Sequence, residues 1–225
     1  MRAIITRHYK TRLNVSERIL GWGDSPRDPT WRKDVNYVGT RLLEAGINFD
    51  AIYASDLKRS RQTADYYAKC FGISTRHDTA ALNEVNYGTL YKKKKKWVAA
   101  EYPQHKKDPN FVYPQGESFC QMQTRSASYL SSLATALPEQ TVLIVVHAGV
   151  IRGLVSHFLD LNYAQSLKYK ISHSYIGDFL FDGPACVSYN ELGKESGFVS
   201  NGIIKLPVTL PMAEVIAEDR FDVEA

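Results

Sequence analysis

One run constrains the chain more than any other: Thr141-Val142-Leu143-Ile144-Val145-Val146, which stops at His147-Ala148-Gly149. It is apolar and β-branched with no polar alternation, the pattern of a strand buried on both faces, as in sheets covered by helices on both sides. Residues 2–6 repeat it and end in Arg7-His8. Residues just past a buried strand emerge at the carboxyl edge of an open α/β sheet, and ligands bind at that edge. Both runs therefore place polar side chains where chemistry is done.

The rest of the chain alternates in the same sense. Residues 9–34 hold Gly21, Gly23, Asp24, Pro26, Asp28 and Pro29 and read as a long loop at the carboxyl edge. Val35, Val38, Leu42 and Leu43 predict a helix over about 35–46 that stops at Gly46. A second strand is expected at 50–54, with Ser55-Asp56 positioned to cap a helix over 58–71. Residues 73–77 suit a short strand, 117–137 a strongly amphipathic helix, and the residues after His147 a helix to about Leu159. Two late strands are expected at 175–181 and 185–190. The order predicts a three-layer α/β/α sandwich with a mostly parallel central sheet. It forms one domain over 1–225, with a partly helical cap or insertion at about 85–116 and a C-terminal tail from about 206.

Composition narrows the function classes. A formal charge of +4 is mild, fitting anionic ligands without implying nucleic acid as a partner. Cys70, Cys120 and Cys186 are too few and too scattered for a disulfide framework or a metal-binding cysteine pair, which points to a reducing, cytoplasmic setting. No apolar stretch is long enough to span a bilayer, so no membrane role is expected, and the Asn14-Val15-Ser16 sequon has no glycosylation role. Lys92–Lys96 form an unbroken run of five lysines, either a solvated face or an attractor for a highly charged anion. Oligomeric state is not legible.

Four polar stations stand at strand ends or loops: Arg7-His8, Ser55 to Arg59, Glu84, and His147. Two histidines, two arginines and a carboxylate on one edge suit phosphoryl transfer. Arginine matches phosphate oxygens bidentately. Neutral imidazole accepts a phosphoryl group on a ring nitrogen. A carboxyl group beside a bound phosphate dianion holds its proton more tightly, and can give it to a leaving oxygen.

These stations sit in blocks that resemble the histidine phosphatase superfamily, the phosphoglycerate-mutase-like proteins. Thr6-Arg7-His8-Tyr9-Lys10-Thr11 resembles the Arg-His-Gly-Glu-Thr signature, and Asn14 with Gly21-Trp22-Gly23-Asp24-Ser25-Pro26 resembles the loop after it. Ser55-Asp56-Leu57-Lys58-Arg59-Ser60-Arg61-Gln62-Thr63-Ala64 resembles Ser-Pro-Leu-x-Arg-Ala-x-Gln-Thr-Ala. Leu82-Asn83-Glu84 with Tyr87-Gly88 resembles the acid motif, and Pro114-Gln115-Gly116-Glu117-Ser118 resembles Pro-Gly-Gly-Glu-Ser. Val146-His147-Ala148-Gly149-Val150-Ile151-Arg152 resembles Ser-His-Gly-Gly-Val-Ile-Arg. The match runs through most of residues 2–190 in the family's order.

The resemblance implies a phosphoglycerate-mutase-like fold and a set of roles. His8 is the expected phosphoryl acceptor and Glu84 the proton donor. Arg7, Arg59 and His147 are expected to clamp the phosphate, with Asn14 and the Ala148 N–H as further donors. Neither a metal nor a cofactor is expected. Arg61 is assigned to the surface, and His77, His105, His157 and His173 match no motif. Tyr9-Lys10 replaces Gly-Glu, predicting a bulkier, cationic rim. Val85-Asn86 stands where the mutase branch has Arg-His, so hydrolysis of a small anionic phosphomonoester is the expected reaction. Phosphoglycerate-mutase-type transfer, with Lys92 or a neighbour substituting for the arginine, and a non-catalytic phospho-ligand binding module are the alternatives.

Overall fold

The computed structural model describes residues 1–192 and the backbone of 197–198; the tail from about 206 lies outside the described residues. The strands are Arg2–Arg7 (β1), Ala51–Ser55 (β2), Arg76–Thr79 (β3), Thr141–Val146 (β4), Tyr169–Lys170 (β5), Ile176–Asp182 (β6), Ala185–Glu191 (β7) and Gly197–Phe198 (β8). The helices are Arg12–Val15 (α1), Trp31–Glu44 (α2), Lys58–Phe71 (α3), Lys95–Glu101 (α4), Phe119–Ala136 (α5), Ala148–Phe158 (α6) and Tyr163–Leu167 (α7).

Six strands form one mixed, mostly parallel sheet in the order β3-β2-β4-β1-β6-β7. β1 and β4 are parallel neighbours, Ile5 opposite Ile144 and Arg7 opposite Val146. β2 flanks β4 in the same sense and β3 follows β2. β6 and β7 add an antiparallel edge beside β1. The carboxyl ends of β1, β2 and β4 therefore share one edge.

Alternation along the strands builds the layers. Ile5, Ile144 and Val146 face one way and pack with Met122 and Leu130 of α5 and Val150 and Leu154 of α6. Ile4, Leu143 and Val145 face the other way, among Val38 and Leu42 of α2 and Tyr67 of α3. Val142 to Val146 are 0% exposed, which is why the run carries no polar residue. Each such side chain contributes about 1.5–3 kcal/mol relative to exposure.

Local boundaries shift where tertiary contacts outweigh periodicity. α2 begins at Trp31 rather than 35, because the Trp31 ring packs on Tyr9 and Tyr66 with the Arg27 guanidinium 4.5 Å above it. The expected loop over 9–34 contains α1, a single turn closed by reciprocal Thr11 and Asn14 caps. The third strand lies at 76–79 rather than 73–77. Ser55-Asp56 does not cap α3: Leu57 occupies the cap position without a side-chain bond, and the Ser55 hydroxyl is engaged elsewhere. The 85–116 segment contains α4 and short 3₁₀ turns and supplies part of a cavity wall.

Candidate functional site

At the carboxyl edge of β1 and β4 lies a cavity of about 470 Å³. Arg7, His8, Asn14, Arg59, Glu84 and Ala148 all line it. His147 is fully buried beside it, its ring centroid 5.0 Å from that of His8. All seven residues singled out in the sequence are thus at one place.

The partners of His8 fix its tautomer. Its Nδ1 lies 2.6 Å from the Tyr9 carbonyl oxygen, which can only accept, so Nδ1 carries the hydrogen. Its Nε2 receives the Arg59 Nε hydrogen at 3.3 Å, so Nε2 holds the lone pair. Burial first, then the charges of Arg59, His147 and Arg7, drive the His8 pKa well below its ordinary value. The ring is neutral with a basic nitrogen turned to the arginine.

Arg59 starts from the first turn of α3 and is held by the loop it crosses. Its terminal nitrogens donate to the carbonyls of Gly21 (2.6 Å) and Gly23 (2.9 Å). Arg7 donates to the Ile171 carbonyl at 2.8 Å, while its buried Nε has no hydrogen-bond partner. Burial lowers both arginines to about 10. Both stay protonated at neutral pH, and neither forms an ion pair with a carboxylate among the described residues.

His147 ends β4, and its Nε2 lies 2.7 Å from the Ser55 hydroxyl. That hydroxyl gives its single hydrogen to Asn83 Oδ1 at 2.6 Å, so it accepts from His147 and from the Leu57 N–H. His147 Nδ1 is buried without a partner, and burial with the charges of Arg59 and Arg7 lowers the pKa of the ring well below its usual range.

Glu84 reaches the cavity from an irregular segment held by its backbone. Its carbonyl accepts from Trp22 Nε1 (2.6 Å) and Arg125 (3.0 Å), and its carboxylate accepts from the N–H groups of Val85 (3.0 Å) and Gly149 (3.2 Å). Asn14 Oδ1 closes the α1 cap and lies 3.3 Å from His173 Nε2, which leaves the Asn14 NH₂ as its uncommitted donor. Ala148 is the first residue of α6, where backbone N–H groups lack intrahelical partners.

Several further residues reach the site. His173 follows β5 outside every matched block, yet its ring centroid is 5.9 Å from that of His8. His105 lines the cavity, as do Arg18, Lys95, Lys106 and Arg152. Arg152 was findable: it is four residues past Ala148 on a helix, hence on the same face. The cationic rim expected from Tyr9-Lys10 is not formed. Tyr9 is 2% exposed, with its hydroxyl on Gln62, and Lys10 pairs with Asp34 at 3.2 Å. Among the described residues no group of three or more His, Cys, Asp or Glu side chains stands where it could hold a metal ion. Nor is any helix among them long and apolar enough to cross a membrane.

The family model of the histidine phosphatase superfamily (branch 1) matches residues 3–190. The chain belongs to the histidine phosphatase superfamily. Among its relatives is the "Probable phosphoglycerate mutase GpmB" of Erwinia tasmaniensis, 33% identical over 167 residues, covering 72% of this chain and 76% of that one. A Bartonella tribocorum 2,3-bisphosphoglycerate-dependent phosphoglycerate mutase is 29% identical over 71% of this chain and 82% of its own. Bacillus stearothermophilus YhfR superposes with a TM-score of 0.73 at 27% identity, over 82% of this chain and 93% of that one. The alpha-ribazole phosphatase of Shigella flexneri has the same fold: TM-score 0.74 at 21% identity, over 89% and 100%. Phosphoglycerate mutases are thus among the relatives of the chain, and its six-stranded, helix-covered sheet is the phosphoglycerate-mutase fold.

Proposed function

We propose that this histidine phosphatase is a metal-independent phosphomonoester hydrolase that works through a phosphohistidine at His8, on a small anionic phosphorylated metabolite. The observation that carries the reading is the set tautomer of His8, whose Nε2 lone pair lies against Arg59 with Arg7 beside it. Nε2 attacks phosphorus, the ester P–O bond breaks, and Glu84 gives its proton to the leaving oxygen. Glu84 then takes a proton from water, the water oxygen attacks phosphorus, and the P–N bond breaks to return neutral His8 and phosphate. Arg7 and Arg59 hold the phosphoryl oxygens throughout and supply the positive charge that the transition state needs. A bound dianion offsets the cationic field on His147, whose Nδ1 then takes a proton and donates to the phosphoryl group. Asn14 and the Ala148 N–H add neutral donors.

Phosphate release from p-nitrophenyl phosphate that disappears in His8→Ala, with an acid-labile phosphoenzyme trapped in the wild type, is the expected result. No release across a broad phosphomonoester panel would replace this reading with that of an inert phospho-ligand binding module.

A mutase reading is favoured by one observation. Val85 is buried and Asn86 is engaged with Glu117, so neither offers a cation, but Lys95 from the lysine run lines the cavity. Such a cation helps retain a phosphorylated carboxylate while the phosphoryl group returns. Formation of 2-phosphoglycerate from 3-phosphoglycerate and a trace of bisphosphate, faster than phosphate release, would establish mutase chemistry.

A further inference from the structure

The short segment 171–175 joins β5 to β6 and is clamped at both ends. Tyr169 just before it and Tyr175 at its end are buried, and both hydroxyls meet that of Tyr189 on β7, at 2.5 Å and 3.1 Å. Between the clamps the segment turns polar groups to the phosphoryl site. The Ile171 carbonyl accepts from Arg7 at 2.8 Å. His173 Nε2 lies 3.3 Å from Asn14 Oδ1, and the ring stands edge-on to His8.

The partner of His173 sets its tautomer. The Thr11 N–H can only donate, so the Asn14 atom it meets at 3.1 Å is the carbonyl oxygen. That oxygen can only accept, so His173 Nε2 carries the hydrogen and Nδ1 the lone pair. Burial first, then the charges of Arg7, Lys10 and Lys95, hold the ring well below its ordinary pKa, so it stays neutral.

Asn14 Oδ1 is therefore held from two segments of the chain. The Thr11 N–H and hydroxyl place it relative to α1, a helix of one turn within a long loop. His173 ties it to the clamped segment beside the central sheet. The oxygen is fully engaged, and the amide keeps its NH₂ for the cavity that Asn14 lines. A donor fixed before the anion arrives stabilises phosphoryl charge without having to reorganise.

We propose that His173 is a positioning residue of the phosphoryl site, whose Nε2–H fixes the Asn14 amide as a phosphate donor. The role rests on the phosphoryl reading of the His8 cavity and extends it to a residue outside every matched block. His173 acts through Asn14, since it is Asn14 that lines the cavity.

Inorganic phosphate is the probe, titrated by calorimetry so that binding is read without turnover. His173→Ala is expected to weaken phosphate affinity about tenfold. Glutamine carries an amide NH₂ where histidine carries Nε2, whereas the shorter asparagine reaches only the Nδ1 position. His173→Gln should therefore regain affinity to within about threefold of wild type, and His173→Asn should not. Both variants lack the ring, so their difference reads the hydrogen bond even where stability falls. Asn14→Ala should cost about tenfold in the wild-type background and less than about twofold in His173→Ala, where its donor is already misplaced. Equal affinity in the Ala, Asn and Gln variants, or independent, additive losses at Asn14 and His173, overturns the positioning role. A wild type that binds phosphate with this dependence on His173 but releases none from any phosphomonoester refutes the hydrolase and leaves the positioning role standing. A wild type that binds no phosphate overturns both.

Discussion

The Gly149 N–H donates to Glu84 Oε2 at 3.2 Å, so the first turn of α6 sets the position of the carboxyl group in the cavity. A β-carbon on residue 149 would collide with Glu84 Oε1. Gly149→Ala should therefore fold and yet lose the acid. The expected loss is about 10²-fold in kcat for alkyl phosphates and much less for aryl phosphates, whose leaving oxygens need no proton. Glu84→Gln should show the same split. Equal losses on both substrate types in steady-state assays would remove Glu84 from the acid role.

Ser55 links His147 to Asn83 through one hydroxyl. Ser55→Ala leaves His147 Nε2 and Asn83 Oδ1 buried without that partner. A cost of about 1–3 kcal/mol in urea unfolding is expected. KM for phosphomonoesters should rise together with it, because the His147 ring loses its anchor. Unchanged stability and KM would show that the bond is dispensable.

Arg125 gathers the segment that carries Glu84. Its guanidinium donates to the carbonyls of Ala80, Ala81, Asn83 and Glu84 and pairs with Glu117 at 2.8 Å. Arg125→Ala is expected to lower stability by at least about 2 kcal/mol. Lysine should not rescue it, since an ammonium cannot reproduce the planar fork. Full rescue by Arg125→Lys in thermal unfolding would contradict this.

The buried histidines make stability depend on acid. His8 and His147 have pKa values held below the ordinary value, first by burial and then by the arginines. The unfolded chain therefore binds more protons than the folded one below about pH 6.5. Stability should be level above that pH and fall as pH drops through it, by up to about 1.4 kcal/mol per pH unit for each ring. Urea titrations across pH 7.5 to 5 should show a shallower slope for His8→Ala. An identical slope would mean that His8 titrates normally in the folded state.

Much of the architecture was legible because its signals are local. Unbroken apolar runs marked β1 and β4, and the amphipathic pattern marked α5 within two residues of its ends. The seven candidate site residues were legible for a different reason: they sit in ordered blocks at strand ends and helix starts. The start of α2 was not, since it depends on Trp31 packing edge-on against distant aromatic rings. The direction of Tyr9 was hidden for the same reason. Its side chain goes into the core beside α3, and no property of the dipeptide after His8 reveals which way it turns.

The pattern of apolar runs and the polar residues closing them were enough to specify a helix-covered sheet with histidines and arginines gathered at its carboxyl edge, because strand burial and helix starts are written in neighbouring residues. The His8 tautomer, the buried seat of His147 and the approach of His173 were not, because each depends on atoms many residues apart. The same holds for the lysine run. Residues 17–19 bond to the backbone of 92–95, and α4 opens at Lys95, so one ammonium of five stands at the cavity while its neighbours face solvent. Charge count is a property of the sequence, but which charges share a cavity is a property of the folded chain.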